Sequence, residues 1–248
     1  GAISVPVYET NAPAQAAWAL AHSEATAIFV EDEKLLARIA EAEEFASATQ
    51  EPMQLKHRWV IENGDLDTLS ARASEVSDEQ LEQVRSAAGC DDLATIVYTS
   101  GTTGRPKGCP LTHGNFLNLS ANTRFVESEI ANPRNSSILF LPLAHVFARF
   151  LEVFQITGAG IIGHTPDTKN LLSDLASFRP SYLLVVPRVL EKIYNAADAK
   201  AGGGFRLKTF RWAAKVAIVY SRALDHPEGP SRGLTAAHAL GQRHVHRP

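Results

Sequence analysis

Residues 99–108 read Thr99, Ser100, Gly101, Thr102, Thr103, Gly104, Arg105, Pro106, Lys107 and Gly108. Three glycines allow close approach of the backbone to a ligand, and four hydroxyls with Lys107 supply donors suited to a polyphosphate. A turn that only reversed the chain would need far less, so the stretch reads as a phosphate loop. It is not the kinase-type loop, which requires Gly-x-x-x-x-Gly-Lys followed by a magnesium-binding Ser or Thr. Counted from Gly101, the last three positions hold Pro106, Lys107 and Gly108, so both the second glycine and the terminal hydroxyl are missing. What remains is a Ser/Thr/Gly loop that offers N–H groups and hydroxyls to phosphates, with Lys107 adding charge. A second candidate, His145, stands alone in an apolar tract. Taken by itself it reads as a hydrogen-bonded core residue.

The elements that must position the loop follow from pattern. Residues 93–98, Leu-Ala-Thr-Ile-Val-Tyr, read as a buried strand that ends at the loop. That places the loop at a strand's carboxyl end, where open α/β sheets bind ligands. Further strand signals lie at 3–8, 25–30, 58–61, 136–141, 159–163 and 181–186. Helical signals lie at 13–22, 32–45, 167–178, 188–200 and 205–224, with one more opened by the Ser77 to Gln80 capping-box spacing and another by Thr112 as N-cap. This alternation predicts an α/β fold with a mostly parallel, doubly wound sheet flanked by helices. Gly202, Gly203 and Gly204 read as a helix breaker, and beyond Asp225 the chain turns polar with no convincing final element.

Composition narrows the function classes. The 248 residues are 45% apolar and 21% charged, a globular balance able to bury a sizeable core. A formal charge of -3 gives no overall attraction for nucleic acid, which is not expected as a partner. Cys90 and Cys109 are the two cysteines and make neither a disulfide framework nor a metal-ligand spacing, so a reducing, cytoplasmic setting is the expectation. The apolar tract 138–163 is broken by His145, Arg149, Glu152 and Gln155, which excludes it as a membrane span. From residue 205 onward Lys208, Arg211, Lys215 and Arg222 fall on one helical side with no acid of that helix among them, inviting peripheral contact with anionic lipid; a solvated face is the plainer reading.

Tyr98 through Gly108, followed by Leu111, Thr112, His113, Gly114 and Asn115, resembles the signature of the adenylate-forming (AMP-binding) enzymes: acyl-CoA synthetases, peptide-synthetase adenylation domains and luciferases. The stretches Leu-Phe-Leu-Pro-Leu-Ala-His-Val-Phe-Ala-Arg at 139–149 and Val-Pro-Arg-Val-Leu-Glu-Lys-Ile-Tyr at 186–194 are similar to the long-chain fatty acid-CoA ligase branch. The resemblance implies that the chain represents a ligase that activates a long-chain fatty acid with ATP and Mg²⁺ through an acyl-adenylate, then transfers the acyl group to coenzyme A. It implies nucleotide contacts by Thr99, Ser100, Gly101, Thr102, Thr103, Gly104, Lys107 and Gly108, phosphate charge stabilisation by Lys107, and a magnesium contact by Thr99. His145 would orient the carboxylate or gate acyl entry. An amino-acid-adenylating enzyme would be expected to place an acid near His145, and none precedes Glu152.

Members of that family are longer. Their adenine-binding glycine segment, Tyr-Gly-x-Thr-Glu stretch, ribose-binding aspartate and C-terminal domain find no match here. The expectation is therefore a portion of the large N-terminal domain over 1–224, a polar truncated tail over 225–248, no C-terminal domain, and no turnover by this piece alone. Two alternatives stand beside the ligase: a non-catalytic nucleotide- or acyl-binding module, such as a pseudoenzyme or partial gene product, and an adenylating enzyme for another carboxylic acid.

Overall fold

The computed structural model describes residues 1–99 and 104–245, and Ser100, Gly101, Thr102 and Thr103 lie outside that set. The chain divides into two units, Gly1–Leu184 and Val185–Pro248. In the first, α1 (Pro13–His22) starts at a proline whose missing N–H is harmless in a first helical turn. β1 (Ala27–Val30) pairs in parallel with β2 (His57–Val60). Between them runs α2 (Glu33–Ala48), whose first turn is capped by Asp32 accepting from Leu35 N–H at 2.8 Å. Leu20, Val30, Ile39, Leu55 and Val60 form one core cluster. Ala16 and Ala17 of α1 meet Ala42 and Ala46 of α2 in a buried seam of small side chains, which lets the two backbones approach closely.

α3 (Asp65–Ala71) and α4 (Asp78–Ser86) follow, the latter with the Ser77 and Gln80 capping box formed as its spacing predicts. β3 (Leu93–Thr99) and β4 (Lys107–Thr112) are antiparallel partners. Gly108 and Pro110 hide β4 from pattern reading, yet Pro110 is tolerated because the pair has only two strands and its missing N–H falls on an edge. Thr112 then caps α5 (His113–Val126), with Asn115 completing the box. β5 (Ser136–Leu139) pairs in parallel with β6 (Ile161–His164) across α6 (Val146–Gly158). Leu139, Ala148, Leu151 and Phe154 form the core of this part. α7 (Leu171–Phe178) closes the unit, starting at Leu171 and not at residue 167.

The α/β expectation holds, with two parallel pairs and one antiparallel pair among the described residues, not a single continuous sheet. Two expected strands are absent. Residues 3–8 make one isolated bridge, Ser4 to Thr95, because Pro6 cannot donate to a ladder. Residues 181–186 direct the Ser181 and Tyr182 N–H groups to one acceptor, Ser136 O, at 3.0 and 3.3 Å, and pair no further before the helix at Pro187.

The second unit holds α8 (Pro187–Ala201), α9 (Gly204–Leu224) and α10 (Arg232–Val245). α10 corrects the reading of the segment after Asp225 as having no final element. Its polar composition hid it, but Gly241 sits against Ala213 of α9, 3.4 Å from where a Cβ would lie, so a small residue there lets the helices pack. The basic side of α9 also needs correction. No acid of α9 interrupts it, but Asp198 of α8 receives Arg211 Nε and Nη2 at 2.8 and 2.9 Å. The Arg211 hydrogen bonds hold the Asp198 carboxyl below its usual range. No helix among the described residues is long and apolar enough to cross a membrane.

Candidate functional site

The loop is the connection of the β3–β4 hairpin, and the register places Thr99 directly opposite Lys107. Thr99 and Lys107 are thus brought together on one rung, both exposed, at the end of β3 where the loop begins. An ammonium and a hydroxyl side by side can share an oxyanion, with the lysine acting as a compact point charge. Gly104 has φ +123° with open space around its Cβ position, so its role is conformational freedom. Gly108 acts differently. A Cβ there would lie 3.1 Å from Ile96 Cγ2 and 3.3 Å from the Tyr98 ring, so glycine makes room for the side chains of β3.

Sequence spacing gave no sign of what holds the hairpin. Trp18 Nε1–H of α1 donates to Pro106 O at 2.8 Å. The Arg105 guanidinium lies 4.6 Å from the Trp18 ring centroid and pairs with Glu51 at 2.6 Å. His22 Nδ1, one helical turn along α1, is hydrogen-bonded to Tyr98 Oη at 2.7 Å. Burial raises the Tyr98 phenol. The clue available in the sequence was the aromatic pair Trp18 and His22, four apart on a helix.

His145 lies on a separate turn after β5 and shares no hydrogen bond with Thr99 or Lys107. It is exposed, where the isolated reading made it a core residue. Its Nδ1 accepts from Phe147 N–H at 3.2 Å, capping α6. In the neutral ring that leaves the proton on Nε2, a free-standing donor. A cleft of about 1530 Å³ in the same unit is walled by residues from Leu139 to Ala144, by Arg149 and by Ile3, Val5 and Phe29, and His145 is not among its walls. Arg149 Nε and Tyr182 Oη are buried without a partner among the described residues. Burial pushes the Tyr182 phenol up to about 12. Among the described residues no cluster of His, Cys, Asp and Glu could hold a metal ion. For a magnesium ion carried on bound phosphates, the Thr99 hydroxyl would be one fitting oxygen donor.

A family model described as AMP-binding enzyme matches residues 1–227. The long-chain-fatty-acid–CoA ligase FadD15 of Mycobacterium tuberculosis is 37% identical over 247 residues, 100% of this chain and 40% of the relative. Long chain acyl-CoA synthetase 3 of Arabidopsis thaliana is 31% identical over 233 residues, 87% of this chain and 34% of its own length. The chain thus spans well under half of the curated relatives it matches. Among solved structures, the N-terminal domain of FACL13 from Mycobacterium tuberculosis shares the fold at TM-score 0.55 and 24% identity, over 77% of this chain and 45% of that one. The long-chain-fatty-acid-CoA ligase FadD1 from Archaeoglobus fulgidus does so at TM-score 0.56 and 19% identity, over 79% and 37%.

Proposed function

The chain belongs to the AMP-binding enzyme family, and from that premise we propose that it carries the phosphate-binding and acyl-binding part of an ATP-dependent long-chain fatty acid–CoA ligase. The observation that carries the reading is the Thr99 and Lys107 rung at the mouth of a Ser/Thr/Gly loop. In the first half-reaction a fatty carboxylate oxygen attacks the α-phosphorus of MgATP, and the bond to pyrophosphate breaks. In the second, the coenzyme A sulfur attacks the acyl carbonyl and AMP leaves. Both partners of the first step are anionic, so charge neutralisation and in-line positioning matter more than a covalent nucleophile.

Lys107 stabilises negative charge as it grows on the departing pyrophosphate, and Thr99 offers its hydroxyl to the magnesium-bound phosphates. His145 follows the cleft-wall residue Ala144, and with its ring held by the Phe147 N–H bond it would orient the carboxylate or gate acyl entry from outside the cleft wall. Leu139, Phe140, Leu141 and Leu143 give the cleft an apolar wall for an alkyl chain. The test is palmitate-dependent exchange of labelled pyrophosphate into ATP by the complete gene product. Exchange supports the ligase. MgATP binding without exchange, for palmitate or any other carboxylic acid, would instead support a non-catalytic nucleotide-binding module, a reading kept because the chain covers only 40% of FadD15.

A further inference from the structure

The two arms of the loop hairpin are gripped by one face of one helix. On the incoming arm, Tyr98 Oη meets His22 Nδ1 at 2.7 Å, one residue before Thr99. On the outgoing arm, Pro106 O receives the Trp18 indole N–H at 2.8 Å, one residue before Lys107. The two gripping rings also pack against each other, tilted by 38° with centroids 4.7 Å apart. Arg105 extends the outgoing contact, lying over the Trp18 ring and reaching Glu51. Its charge is thereby turned onto α1 and the segment after α2. The exposed Arg105 to Glu51 pair contributes little by itself. The indole bond differs because it fixes main chain, and so sets the path of the backbone into Lys107.

We propose that Trp18 and His22 form a clamp that sets the geometry of the Thr99 and Lys107 rung toward phosphate. They are positioning residues: they touch no substrate, and they act through the two residues that do. This rests on the reading of the loop as a phosphate site. The clamp also assigns the two basic residues of the loop different tasks, with Arg105 holding the hairpin and Lys107 meeting the ligand.

The test uses inorganic pyrophosphate with magnesium, measured by calorimetry on the 248-residue chain. Trp18→Phe keeps a ring for Arg105 but removes the N–H, and His22→Gln tests the other arm, removing the ring that packs on Trp18 but not the indole N–H itself. Each is expected to weaken pyrophosphate binding about five-fold, the scale of one lost hydrogen bond. Lys107→Ala is expected to weaken it at least about ten-fold, as a charge-assisted contact. The decisive readout is the double variant Trp18→Phe with Lys107→Ala. If Trp18 acts through Lys107, the double variant binds no more weakly than Lys107→Ala alone. Additive losses, or wild-type affinity in both Trp18→Phe and His22→Gln, would overturn the clamp while leaving the phosphate site intact. A wild-type chain that binds no pyrophosphate, or a Lys107→Ala variant that binds like wild type, would overturn the phosphate reading itself.

Discussion

The loop hairpin and the His145 turn lie in the same unit but are held in opposite ways. Thr99 and Lys107 depend on residues distant in sequence: Pro106 is bonded to Trp18, Tyr98 to His22 and Arg105 to Glu51. His145 depends on its own turn, where Nδ1 accepts from Phe147 and the main-chain carbonyl accepts from Ala148 and Arg149 N–H groups at 3.0 and 3.3 Å. The difference separates two kinds of cost. At the hairpin, the proposed phosphate binding would be lost through contacts far from the rung. At His145 the proposed donor is also the helix cap, so stability and the proposed chemistry would be coupled in one residue.

The largest expected effect is at the hairpin. Lys107→Ala in the complete enzyme should slow adenylation by about 10²–10³, the scale of removing one preorganised donor to developing charge. Thioester formation from supplied acyl-adenylate should be nearly unchanged. Equal losses in the two half-reactions would break the assignment. Next comes Leu151→Ala beneath the His145 turn, at a side chain only 1% exposed. It should cost about 2–5 kcal/mol in urea unfolding, because the cavity adds to the lost transfer energy. A loss well below that range would mean that α6 is not the support of His145.

His145→Ala should then cost about 1 kcal/mol of stability, the usual worth of a helix cap. His145→Asn should restore the cap while leaving adenylation impaired. Recovery of both would reduce His145 to a helix cap with no part in the chemistry. The smallest effect is alkaline and lies on the same side of the molecule, where Tyr182 packs against the Leu139, Ala148 and Leu151 cluster. Burial raises its phenol from 10.0 to about 12, so the folded state holds the proton more tightly than the unfolded chain. The resulting stability is fully present below pH 10 and is lost as pH rises toward 12. Tyr182→Phe should flatten that slope in melts across the range, and an unchanged slope would assign the alkaline loss elsewhere.

What was legible in the sequence was what is local. The Ser77 and Gln80 box, the Thr112 cap and the proline starts of α1 and α8 all act within one turn, and all are found where their spacing puts them. The family was legible for the same reason, since its signature is carried by consecutive residues. α6 was overlooked although Ala148, Leu151, Phe154 and Gly158 mark its buried face at helical spacing. β4 was invisible because a strand with Gly108 and Pro110 lacks pattern and exists only through its partner. The clamp could not be read at all, because nothing in a linear sequence joins Trp18 to Pro106.

The alanine seam under α1 gives this arrangement a low mechanical tolerance. Ala42 is completely buried in that seam, so a larger residue there must push its neighbours aside. It would move α1 as a rigid rod and carry Trp18 and His22 with it. A substitution remote from every phosphate contact would then retune both arms of the loop at once. On the proposed reading, phosphate affinity would then depend on a helix contact that bears no polar group.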